Sequence, residues 1–127
     1  MILFLAAQDI RFADFGLVDA GALKESARVD APPERYLAEL DRLLAAWKAG
    51  PGDISAVAVV TGPGAFTASR VSTVLADAIA FALDVPVIPL ENPGRRPLAD
   101  LAPALPAART THAVPVYDRE ANITRKK

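Results

Sequence analysis

Apolar residues along this chain follow three spacings, and each spacing predicts a different element. Ile2 to Ala6 is a continuous apolar run, as in a strand buried on both faces. From Ile10 to Val18 the residues sort at period two. Ile10, Phe12, Asp14, Gly16 and Val18 share one side, and Arg11, Ala13, Phe15 and Leu17 the other, which predicts a second strand. Asp19-Ala20-Gly21 is a turn. Ala22 to Val29 is read as a third strand, although Lys24 to Arg28 would also suit a helix. Asp30-Ala31-Pro32-Pro33 opens a helix, because first-turn N–H groups have no partner for proline to remove. Tyr36, Leu37, Leu40, Leu43, Leu44 and Trp47 then recur at helical spacing between charged positions. They give an amphipathic helix from Pro33 to Lys48, stopped by Gly50-Pro51-Gly52.

Ile54 to Val60, rich in β-branched residues and free of charge, predicts a fourth strand. Thr61-Gly62-Pro63-Gly64 is a tight turn, and Ala65 to Leu83 a second helix. In its stretch Val71 to Leu83, 10 of 13 residues are apolar and Asp77 is the only charge. Such a helix needs cover on more than one side: the sheet on one, a second helix or a partner on the other. Val85 to Leu90 is a last strand, placed at an edge because Pro86 and Pro89 remove ladder donors. Beyond Asn92 the chain is proline-rich. Pro97 to Ala108 has room for one short helix, and Pro115 to Glu120 for an extended segment. The order β-β-β-α-β-α-β plus a tail predicts an α/β fold, a mixed five-stranded sheet with helices packed on it. Residues 1–91 form the expected lobe, and residues 92–127 the tail.

Composition narrows the chemistry. A length of 127 residues suits one domain. An apolar fraction of 52% with a net charge of -1 excludes wholesale disorder. There is no cysteine and a single histidine, His112. Disulfide scaffolds, thiolate metal sites, a cysteine nucleophile and two-histidine sites are thereby excluded. His112 is read as a loop residue, and neither a metal nor a cofactor is expected. No continuous apolar run reaches the ~18–20 residues of a membrane span. Met1 to Ala7 lacks a basic leader and reads as a strand, so a reducing, cytoplasmic setting is expected. Residues 1–91 carry a net of -5 and residues 92–127 a net of +4. The basic end, Arg125-Lys126-Lys127, is either solvated or an RNA contact.

The strongest local pattern is Val59-Val60-Thr61-Gly62-Pro63-Gly64-Ala65-Phe66-Thr67-Ala68-Ser69-Arg70. A strand enters two glycines around a proline, and a helix leaves. Gly62 and Gly64 permit positive φ or close backbone approach. Thr67 and Ser69 could offer hydroxyls to the first helical turn. Two readings stand: a turn that packs strand on helix, or an anion contact by Gly62, Gly64, Thr67 and Ser69 at a helix N-terminus. A P-loop is excluded, because Thr67 stands where its second glycine belongs and no lysine follows. A dinucleotide fingerprint fails at the same position.

Residues 62–70 resemble the G-P-G-S-F-T-G-x-R signature of the TsaB (YeaZ) family, glycoprotease-like members of the actin/hexokinase/Hsp70 fold. Pro115-Val116-Tyr117-Asp118-Arg119 is similar to the P-V-Y-x-R near that family's C-terminus. The resemblance implies a single actin-like, ribonuclease H-like lobe with the second lobe largely missing. It further implies a non-catalytic subunit that pairs with the catalytic subunit TsaD, and with TsaE indirectly, in tRNA threonylcarbamoyladenosine synthesis. In TsaD's absence it implies a homodimer. The family's contact is made by the two helices of the first lobe. That assigns Tyr36, Leu37, Leu40, Leu43, Leu44, Trp47, Arg70, Val71, Val74, Leu75, Asp77 and Ala78 to a partner interface. Tyr36 and Trp47 also suit the core. Arg70, a cation near the positive end of a helix, favours an acidic contact. Asp77 is its (i, i+7) companion or a cross-interface partner.

The departures bear on activity. The family's first strand runs I-L-x-I-D-T-S, and here Ala6 stands at its aspartate, with Asp9 three residues late. Without that carboxylate neither ATP hydrolysis nor two-metal nuclease chemistry is expected. No nucleophile stands beside a base. The competing readings are a small nucleotide-hydrolysing or peptidase-type enzyme, and a decayed paralogue that only binds TsaD.

Overall fold

The computed structural model describes residues 1–106 and Thr110. The five expected strands form β1 (Ile2–Asp9), β2 (Phe12–Asp19), β3 (Ala22–Val29), β4 (Ala56–Gly62) and β5 (Val87–Glu91). They lie in one mixed sheet of order β3-β2-β1-β4-β5. β1 is central, antiparallel to β2 (Leu3 opposite Leu17, Leu5 opposite Phe15) and parallel to β4 (Ile2 opposite Ala56, Ala6 opposite Val60). β5 runs parallel to β4 and ends the order of the five strands, as its prolines predict, with Val87 bridged on the outer side to Thr110 by hydrogen bonds of 2.7 and 2.8 Å. The first hairpin is tighter than its alternation suggests. β1 extends to Asp9, whose carboxylate accepts the Arg11 backbone N–H at 2.9 Å and closes the turn over Ile10.

Helices α1 (Tyr36–Ala46) and α2 (Phe66–Leu83) cover one face of the sheet. A 3₁₀ turn, Pro33–Arg35, leads into α1, and α1 ends two residues short of Lys48, whose φ is 57°. α2 ends at Asp84 in the left-handed region. Their shared core takes Leu3, Leu5 and Ala7 of β1, Phe15 and Leu17 of β2, and Val57 and Val59 of β4. The alternate residues Phe4, Ala6, Val18, Ala56, Ala58, Val60 and Ile88 face the opposite side. There a short helix, α3 (Leu98–Leu101), and a 3₁₀ turn cover them with Leu98, Leu101 and Ala102. Cover on both faces is why β1 is apolar from Ile2 to Ala7 and β4 from Ala56 to Val60. Gly16 makes room for α3: a Cβ there would sit 3.2 Å from Leu98 Cδ1 and 2.9 Å from the Glu25 carbonyl.

By length and composition α2 could cross a membrane. Its inner face nevertheless packs on β4 and β1 of the sheet. His112, the Pro115–Glu120 segment and the basic end lie outside the described residues.

Candidate functional site

The two helices assigned to a partner present different surfaces. α1 turns Tyr36, Leu40 and Leu43 inward, exposed by 1%, 1% and 7%. The Tyr36 ring meets Phe15 edge-on, with centroids 6.0 Å apart. Its hydroxyl is buried without a hydrogen-bond partner, and burial raises its pKa to about 12. These three residues therefore belong to the core and are not available to a partner, because the apolar stripe of an amphipathic helix faces the sheet. Leu44 and Trp47 are half-buried against the same core. Leu37 is the α1 position of the twelve that stands out in solvent, at 61% exposure.

α2 does the reverse. Ala68, Ser69, Ser72, Thr73, Ala76 and Ala80 form its buried face. The buried hydroxyls of Ser72 and Thr73 donate to the Ser69 carbonyl at 3.2 and 2.7 Å. Small residues let the helix lie close to the strands, Val71, Leu75, Ile79 and Leu83 pack at the margin of the same core, and Val74 and Phe81 point away. Val74 is 57% exposed and Phe81 88%, with Arg70 and Ala78 also exposed and Val71, Leu75 and Asp77 half-buried. Between the helices runs a groove of about 420 Å³. Leu37, Leu44, Ala45, Ile79 and Leu83 line it, with Leu3 and Ile54 at its base and Asp41 as its charged residue. Sequence reasoning missed Phe81 and Phe66. Both lie within the helix it located, but helical spacing alone does not say which side of an apolar helix is outward.

The signature turn packs tightly. Gly62 has φ 137°. A Cβ on Gly64 would sit 2.7 Å from Gln8 Cα, 2.8 Å from the Gln8 carbonyl and 2.8 Å from Ser69 Oγ. The Ala65 N–H donates to the Gln8 carbonyl at 2.9 Å. Ser69 is fully buried and its hydroxyl has no partner, so it is sealed from any solvent anion. No side chain caps the helix, which corrects the expectation that Thr67 and Ser69 serve its first turn. Thr67 is exposed. Of the two readings of this turn, the geometry supports close packing, with Ser69 removed from the anion set.

At the end of β1, Ala6 faces the α3 side and carries no carboxylate. Asp9 is held by Arg11 at 2.9 Å, and those hydrogen bonds lower its pKa to about 2. Among the described residues no group of three or more His, Cys, Asp or Glu is placed to hold a metal ion.

This arrangement, a mixed five-stranded sheet with α1 and α2 on one face, defines a lobe of the actin-like, ribonuclease H-like class. T. thermophilus RuvC, solved with a Holliday junction substrate, shares the fold at a TM-score of 0.50 and 17% identity, over 71% of this chain and 63% of RuvC. Within that class the chain is similar to TsaB (YeaZ) proteins. It is 41% identical over 59 residues to the tRNA threonylcarbamoyladenosine biosynthesis protein TsaB of Haemophilus influenzae, 46% of this chain and 25% of that protein. YeaZ from Pseudomonas aeruginosa superposes with a TM-score of 0.63 at 26% identity, over 72% of this chain and 43% of YeaZ. Residues 33–92 match the family described as TsaD, tRNA N6-adenosine threonylcarbamoyltransferase. The chain thus spans less than half the length of either relative.

Proposed function

We propose that this chain is a non-catalytic, cytoplasmic subunit of tRNA threonylcarbamoyladenosine synthesis that docks a TsaD-type catalytic subunit through the outer surfaces of α1 and α2. One observation carries the reading: α2 satisfies the sheet with small residues and leaves Val74 and Phe81 exposed, while an apolar groove runs along its other flank, against α1. Burying an exposed side chain of this size contributes about 1.5–3 kcal/mol. Two such anchors, seven residues apart on one exposed helix face, suit the centre of an interface. The likeness to TsaB proteins, and to the TsaD family over residues 33–92, supports a place in this pathway, and the partner is proposed on that ground. Leu37, Leu44, Val71, Val74, Leu75, Ala78 and Phe81 are the contact residues, with Arg70 and Asp77 on the same helix as polar elements. The same face serves a homodimer when TsaD is absent, and TsaE joins through TsaD. Ala6 in place of the first-strand aspartate supports the non-catalytic role.

The test is titration of the TsaD-type subunit of the same organism against this chain by calorimetry. Wild type binds at micromolar concentration or tighter. Val74→Glu and Phe81→Glu each weaken binding at least ~10-fold, about 1.4 kcal/mol, with unchanged circular dichroism. No complex at micromolar concentration, or full binding by both variants, sinks the reading. Complementation of a TsaB-deficient strain then separates a working subunit from a decayed paralogue.

A further inference from the structure

Two buried side-chain amides, Gln8 and Asn92, have no part in the docking surface. They stand at the end of β1 and just beyond β5, 9% and 3% exposed. Gln8 Nε2 donates to the carbonyls of Pro63 at 2.6 Å and Asn92 at 2.8 Å. Asn92 Nδ2 donates to Gln8 Oε1 at 3.0 Å and to the Arg96 carbonyl at 2.9 Å, and its Oδ1 accepts the Arg96 N–H at 3.0 Å. Both hydrogens of both amides are therefore used. The backbone closes the same knot, with the Asn92 N–H on the Gly62 carbonyl at 2.8 Å and the Ala65 N–H on the Gln8 carbonyl at 2.9 Å.

The joined segments serve opposite faces of the sheet. The turn at 62–65 launches α2 on one face, and the loop at 92–97 launches α3 on the other. Opening either end strands a buried amide, which costs its full desolvation. The knot is therefore complete or open, with little between. We propose that the Gln8–Asn92 pair makes the start of α2 and the α3 cover a single cooperative unit, so that loosening one face at this end loosens the other. The consequence for function rests on the docking reading: a partner on α2 tightens the α3 cover, and displacement of α3 weakens docking by the same factor.

Hydrogen exchange at the Ala65 and Ser69 amides, read by NMR on the free 127-residue chain, tests the coupling without any partner. Leu98→Ala loosens α3 on the far face of the sheet, where Leu98 packs beside Gly16. It should speed exchange at Ala65 and Ser69 at least ~10-fold while α1 changes less than ~2-fold. Asn92→Ala should speed exchange on both sides of the sheet. In the Asn92→Ala background, Leu98→Ala should add less than ~2-fold at Ala65 and Ser69, because the link is already cut. Wild-type rates at both amides in Leu98→Ala overturn the proposal. So does an undiminished Leu98→Ala effect without Asn92, or a uniform rise across the chain. Where Asn92→Ala does not fold, Gln8→Ala replaces it with the same outcomes, and the Leu98→Ala arm stands alone in the wild-type background. Failure of docking with coupled exchange intact would reject the docking reading and keep this one.

Discussion

α1 and α2 lie side by side on one face of the same sheet and solve opposite packing problems. α1 buries Tyr36, Leu40 and Leu43 and, Leu37 apart, leaves small and charged residues outside. α2 buries alanine, serine and threonine and leaves Val74 and Phe81 outside. Hydrophobicity alone would have turned both helices the large-side-in way. For α2, close approach to β4 and β1 decides instead, because only small side chains fit beneath it. α1 thus seats most of its large residues within this chain, whereas α2 keeps an apolar face that no described residue covers.

The contrast is broken first at the buried residues. Leu40→Ala should cost about 2–5 kcal/mol of unfolding free energy by urea denaturation, since a fully buried leucine leaves a cavity that its neighbours refill only in part. If the loss is under about 1 kcal/mol, α1 is not seated by its large residues. The reverse change belongs to α2. Ala76→Leu should cost about 1–3 kcal/mol by the same measurement, because Ala76 has no exposed surface and no room to grow. A neutral or stabilising result would mean that α2 stands off the sheet and that its outward face is no packing necessity.

What the sequence disclosed follows the range of each interaction. Strands were legible from alternation and unbroken apolar runs, and the edge position of β5 from Pro86 and Pro89. The glycine-proline turn was legible too, because it is a local pattern. The facing of α2 was not, because 10 of 13 residues being apolar leaves little amphipathic contrast, and the deciding variable is side-chain volume against a sheet. The family resemblance assigns Leu40 and Leu43 to a partner and leaves Tyr36 between partner and core, but one apolar stripe cannot serve both at once, and the sheet takes it. The Gln8–Asn92 pair was beyond reach, since its members are 84 residues apart and nothing in the local pattern around either points to the other. Ser69 misled because a serine near a helix start suggests a cap, whereas here it lies on the inner face of the helix.

A smaller effect sharpens the contrast from outside. Phe81→Ser should change stability by less than about 0.5 kcal/mol, since the ring is 88% exposed and touches little that folding must keep. A loss near that of Leu40→Ala would show that Phe81 is already covered within the free chain, and the unpartnered face of α2 would then shrink to Val74.

The smallest effect concerns the solvent side of α1, where charge replaces the apolar display of α2. Glu39 accepts two hydrogen bonds from Arg42, at 2.7 and 3.2 Å, and pairs with Arg35 at 3.5 Å. Arg42 first, and Arg35 after it, hold the Glu39 carboxyl below its ordinary value of 4.5. A carboxyl lowered by folding stabilises the fold fully above its unfolded pKa and loses that contribution as pH falls through its folded value. The outer face of α1 should therefore weaken only in acid, below about pH 4.5. NMR titration of the Glu39 side chain should give a midpoint below 4.5 in wild type and an upward move in Arg42→Ala. Both residues stand at the surface, so the difference in unfolding free energy at neutral pH should be slight. An unchanged midpoint in Arg42→Ala would show that the charged face of α1 is merely solvated. The distinction between the helices would then rest on their buried faces alone.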